Sequence, residues 1–119
     1  MQVREKFLEE LARYFQYWVK HSSEAITQEN VDLIWTDNPD SFKNIQKALA
    51  QNRITKTDVE NVFSECLQGF AVSFLTIIDG GTALAQETRL HIVDENGKSL
   101  GEGLHELFIG HLLDTGRMK

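Results

Sequence analysis

Residues 57–78, TDVENVFSECLQGFAVSFLTII, repeat apolar side chains every three or four positions without a change of phase. The series is Val59, Val62/Phe63, Cys66/Leu67, Phe70, Phe74 and Ile77/Ile78, and no charge interrupts it from Cys66 to Ile78. Thr57 and Glu60 precede it as a T-x-x-E capping box, the pattern that satisfies the free amides at a helix start. A half-buried strand would alternate every two residues, so the period predicts one continuous helix over 57–78. The competing reading stops at Gly69, which costs a helix ~1 kcal/mol relative to alanine. It would make FAVSFLTII a strand, as its β-branched and aromatic residues permit. The unshifted phase through Gly69 favours the helix. Being apolar on nearly every side, it is expected to be central, with other helices packed around it and Cys66 facing inward as a small buried hydrophobe.

The rest of the chain arranges itself around that element. Val3, Phe7, Leu11, Tyr14/Phe15 and Trp18 mark one face of an amphipathic helix that Ser22 and Ser23 are expected to end. A shorter helix is expected from Thr27 through Ile34 and Trp35, with Ile26 and Val31 spaced as a hydrophobic staple. TDNPD, residues 36–40, reads as a turn, because proline biases Asn38 away from helix. From about Ser41 a further helix carries Phe42, Ile45 and Leu49 inward. Thr88–Val93, the ENG turn and Lys98–Leu100 predict a small β-hairpin. A last helix places Leu104, Leu107/Phe108, His111 and Leu112 on one face and stops at Gly116. The expected architecture is a single globular domain, 1–119, mainly α with a minor β component: about five helices around 57–78 and one hairpin near 88–100.

Charge and composition narrow the function classes. The chain carries 12 Lys/Arg against 18 Asp/Glu, a net charge of −6. No Lys or Arg falls between Lys20 and Lys43, an interval that holds Glu24, Glu29, Asp32, Asp37 and Asp40. Such a surface repels phosphate backbones, so nucleic acid is not an expected partner. Solubility accounts for a net charge of this size, and a one-sign stretch also suits a basic protein partner. The charged N-terminus lacks the apolar core of a signal peptide, and FAVSFLTII falls short of a membrane span. One cysteine cannot form an internal disulfide, which fits a reducing compartment. The reading is a cytoplasmic protein of bacterial type, with no membrane role.

Candidate chemistry is sparse. DGGT, residues 79–82, has glycines after a helix, whereas a phosphate loop needs them before one. One of the two glycines is expected in the left-handed conformation that stops a helix. Asp79 then sits against the negative end of the helix dipole, which makes it either a turn residue or a functional suspect. HELFIGH places His105 and His111 six apart, about 240° around a helix, so they cannot close on one ion. His111 falls on the apolar stripe as a core histidine, and His105 flanks it. Glu106 beside His105 is the one acid–base pair in view, although adjacent helix positions do not face each other. DENG, residues 94–97, lacks the ligands of a calcium loop and reads as a turn. Trp35 has two readings: Val31 one turn earlier favours a core position, and its neighbours Asp37, Pro39 and Asp40 suit a binding anchor.

These residues predict a non-enzymatic, protein-binding domain of adaptor or toxin-neutralising (immunity-like) kind. It would need no metal or cofactor and would use Trp35, Glu29, Asp32, Asp37 and Asp40 toward a basic partner. The rival expectation is a small-ligand-binding or hydrolytic site near the DGG turn and the last helix, built from Asp79, His105 and Glu106.

Overall fold

The computed structural model describes residues 2–118. Among them are four α-helices, α1 (Val3–Thr27), α2 (Pro39–Gln51), α3 (Lys56–Ile78) and α4 (Leu104–Asp114), with one 3₁₀ turn at Ala83–Gln86. The protein is mainly helical, as its apolar periods require. Its residues form two compact units: one joins the chain up to Tyr14 with Gln68 onward, and the other is Phe15–Leu67. In the first unit the buried side chains are Leu8, Ala12, Leu75, Leu100, Leu104, Phe108 and Leu112; in the second they are Phe15, Ser23, Ala25, Gln46 and Val59.

α3 is one continuous helix through Gly69, as its period predicts. Its N-cap lies two residues before the expected box: the Thr55 hydroxyl accepts the N–H of Asp58 at 3.2 Å. The expectation that α3 is central is not met. Phe70 is 73% exposed, Val62, Phe74 and Ile77 are also exposed, and only Val59 and Leu75 are buried. Cys66 is exposed as well. By length and composition alone the stretch Lys56–Gln86 could cross a membrane, contrary to the sequence reading, and only 6% of its most apolar window is buried. The all-round apolar pattern permitted burial on any side, but the second unit reaches only its first turns and the first unit only the Leu75 face.

Four rather than five helices form, because α1 does not stop at the serine pair. Ser23 is fully buried and its hydroxyl donates to the carbonyl of Val19 at 2.6 Å; Thr27 repeats the bond to Ser23 at 2.7 Å. Bonds to the carbonyl four residues back let serine and threonine remain in a helix. Residues 28–38 are then irregular, so no helix runs from Thr27 to Trp35. The buried stripe of α1 also shifts to Leu8, Ala12 and Phe15, while Val3, Tyr14 and Trp18 are exposed. On α2 the inward position is Gln46, not Ile45; its amide donates to the carbonyl of Ala25 at 2.6 Å. Pro39 is the first residue of α2, where its missing N–H is not needed.

The expected hairpin reduces to a single antiparallel bridge, Val93 to Ser99, with no strand. Asp94 explains the turn, since its Oδ1 accepts the N–H groups of Asn96 and Lys98, both at 2.9 Å. Gly101 (φ 97°) and Gly103 (φ 71°) then divert the return arm into α4 before a ladder can extend.

α3 ends in a Schellman motif: Gly81 N–H bonds Thr76 C=O at 2.9 Å and Gly80 N–H bonds Ile77 C=O at 3.2 Å. Gly80 carries the required positive φ of 80°, and the Arg89 guanidinium lies where its Cβ would be, 2.6 Å away. Gly69 has nothing within 4 Å of its own Cβ position. Gly69→Ala is therefore expected to raise stability by up to ~1 kcal/mol, and Gly80→Ala to lower it by ~1–2 kcal/mol. Urea denaturation of the two variants checks both signs.

Candidate functional site

The rival pair from the sequence meets in the first unit. Asp79 ends α3 and His105 begins α4, and the His105 N–H donates to Asp79 Oδ2 at 2.8 Å. His105 Nδ1 lies 2.5 Å from the same oxygen. Gly103 offers α4 no side-chain cap, so Asp79 supplies it from another helix. This resolves the misfit in the sequence: the carboxylate at the negative end of α3 stands at the positive end of α4, where a negative charge is stabilised.

Burial opposes ionisation of Asp79, whose side chain is 5% exposed. The amide and ring of His105 and the amide of Leu104 outweigh it and hold the carboxyl below its usual range. Oδ1 is buried and meets no hydrogen-bond donor among the described residues. In a neutral ring, a proton on Nδ1 directed at Asp79 leaves Nε2 as an acceptor, the tautomer a general base needs. Glu106 Oε1 is 3.9 Å from that Nε2 and its side chain is 82% exposed, too loosely placed to orient it. Nε2 has no serine, threonine or cysteine partner among the described residues, so this pair lacks a nucleophile.

His111 is not a plain core histidine. Its Nε2 lies 2.8 Å from Glu9 Oε1, and Arg117 clamps both oxygens of Glu9, Nη1 at 2.7 Å and Nη2 at 2.9 Å. The Schellman turn at Gly116 brings Arg117 back over α4, with its N–H on Leu112 C=O at 2.9 Å. Hydrogen bonds from Arg117 and then His111 lower the Glu9 carboxyl to about 2. Nothing in the sequence spacing marked Glu9, which lies 102 positions from His111.

Both carboxyls are depressed on folding, so each contributes stability that is complete above its unfolded value and is lost as pH falls through its folded one. For Glu9 the window runs from 4.5 to about 2; for Asp79 it opens below 3.8. Thermal melts should give a falling midpoint below pH ~4.5, and Glu9→Gln should flatten that slope. Asp79→Ala should cost ~1–2 kcal/mol at pH 7, the range for a lost N-cap, measured by urea denaturation.

The second unit holds the aromatic site. Trp35 is 43% exposed, so it is not a core residue. Its Nε1–H donates to the carbonyl of Asp32 at 3.0 Å, and its ring meets Phe42 at 5.2 Å, Trp18 at 6.0 Å and His21 at 4.9 Å. Tyr17 stacks on His21 at 5.3 Å. The sequence reading marked Trp35 alone; Tyr17 and His21 at i, i+4 of α1, flanking Trp18, were the available signal for the rest. Glu29, Asp32, Asp37 and Asp40 are all exposed, and none has an ion-pair partner among the described residues. A cavity of about 190 Å³ opens beside the aromatic group, lined by His21, Glu24, Ala25, Val31 and Asp32. Glu24 is already paired with Lys56 at 3.3 Å.

Compared with known proteins, the chain matches no family model, no curated protein and no solved structure.

Proposed function

We propose that this protein is a non-enzymatic protein-binding domain, of adaptor or toxin-neutralising kind, which offers the Trp18–Trp35 surface to a basic partner. One observation carries the reading: two part-exposed indoles, Trp18 and Trp35, meet at 6.0 Å, and four exposed carboxylates of the adjoining segment, Glu29, Asp32, Asp37 and Asp40, have no ion-pair partner among the described residues. Tryptophan in such a setting is the residue type that dominates binding energy at interfaces. The uncompensated acids supply attraction for a basic surface, which acts chiefly on encounter rate and specificity. The same charge disfavours nucleic acid. Glu65 and Gln68 inside α3 disfavour lipid burial of that helix, so a cytoplasmic protein partner is preferred to a membrane.

The test uses immobilised wild-type protein beside Trp35→Ala and the Asp37→Lys/Asp40→Lys double variant. A partner retained by the wild type should be lost with Trp35→Ala. The double variant should bind more slowly while its melting temperature stays nearly unchanged, and added salt should slow association more than it speeds dissociation. Retention that ignores the Trp35 substitution sinks the proposal.

The Asp79–His105 contact favours one second reading, a small-ligand-binding or hydrolytic site completed by Glu106. Turnover of a simple ester or phosphoester that His105→Ala abolishes would support it. Turnover unchanged in that variant would remove it.

A further inference from the structure

We infer that the exposed face of Trp35, beside the cavity that His21 and Asp32 line, receives the guanidinium group of an arginine side chain. This rests on the protein-binding reading and names the chemistry of the partner at that site. The cavity has one aromatic wall, His21, whose ring lies 4.9 Å from Trp35. None of the rings touching Trp35 lies parallel to it: the interplanar angles are 71° to Trp18, 49° to His21 and 81° to Phe42. No ring is stacked flat on the indole, and much of the residue stays in solvent. An open indole attracts a cation within about 6 Å of its ring, and guanidinium, being planar, stacks there as ammonium cannot.

The carboxylates divide the work. Lys56 pairs with Glu24, one of the two acids that line the cavity; the other is Asp32. Asp32 has only its Oδ1 engaged among the described residues, accepting the N–H of Ile34 at 2.8 Å. Its Oδ2 has no partner among the described residues, and the carbonyl of Asp32 already accepts the Trp35 indole N–H. One hydrogen-bond network thus sets a free carboxylate oxygen beside a tryptophan. A flat cation with several N–H donors satisfies both at once, stacking on the ring and bonding the oxygen.

Nα-acetyl-arginine amide, the lysine analogue and the neutral isostere citrulline are titrated into the full chain, with the two indole N–H signals followed by NMR. The arginine probe should shift Trp35 saturably and bind about tenfold more tightly than citrulline, the scale of one charge-assisted hydrogen bond. Lysine should fall between them. Asp32→Asn keeps an acceptor for the Ile34 N–H, so the loop survives, and it should bring arginine down to the citrulline level. Equal shifts from arginine and citrulline, or no saturation with arginine, overturn the inference. So does lysine binding as tightly as arginine, since that marks a site for charge alone. The probes need no partner protein, so this result can fail while Trp35→Ala still abolishes partner retention, and the two readings fall separately.

Discussion

The carboxylate of Asp79 stands where two helices terminate. α3 presents its last carbonyls and α4 its first amides at the same residue, and Gly103 leaves α4 without a cap of its own. A negative charge there is mildly unfavourable to the helix that carries it and favourable to the helix it meets. The second effect prevails because the contact is buried and includes direct hydrogen bonds, whereas the first acts through the dipole alone. Four of the seven buried residues of the first unit, Leu75 on α3 and Leu104, Phe108 and Leu112 on α4, lie on the two elements this carboxylate joins. Gly80 belongs to the same device: its positive φ ends α3, and its missing side chain makes room for Arg89, whose guanidinium donates to the Asp79 carbonyl at 3.3 Å.

Two clusters of ionisable groups in the first unit pair internally. Asp79 with His105, and Glu9 with His111 and Arg117, are pairs between distant parts of the chain, made in partly buried surroundings where charge-assisted bonds are strong. The second unit spends its charge differently. Apart from Lys56 with Glu24 and Glu60, its acids have no ion-pair partner among the described residues. An Asp–His contact alone resembles catalytic machinery, yet here capping accounts for the aspartate, and no serine, threonine or cysteine partners the histidine among the described residues. Asp32 bonds the Ile34 N–H and Asp40 lies in the first turn of α2, but neither role accounts for the exposed indoles that stand near them. For that reason the second unit carries the functional proposal.

The helical character of the chain was legible residue by residue. The 3.6-residue period through Gly69, the proline at the start of α2 and the glycines closing α3 and α4 are local signals, and each corresponds to an observed feature. Local rules failed where a side chain found a second partner. Ser22 and Ser23 read as a helix end because serine competes for backbone bonds, but Ser23 turned its hydroxyl to Val19 and stayed helical. The apolar pattern turned Ile45 inward, but Gln46 is the buried position, its amide satisfied by the carbonyl of Ala25.

Sequence by itself determined the secondary-structure class, the glycine stops of α3 and α4 and the acidic stretch, because these depend on neighbours within one or two turns. It also named Asp79, His105 and Trp35 as the residues to watch. Only the tertiary structure decided what they do. Asp79 caps a helix 25 positions away, Trp35 joins rings from α1 and α2, and α3 leaves most of its apolar face uncovered. Periodicity shows that a helix has an apolar face but carries no information about what covers it. A carboxylate's role depends on which donors surround it in space, and those donors come from parts of the chain that no local pattern connects.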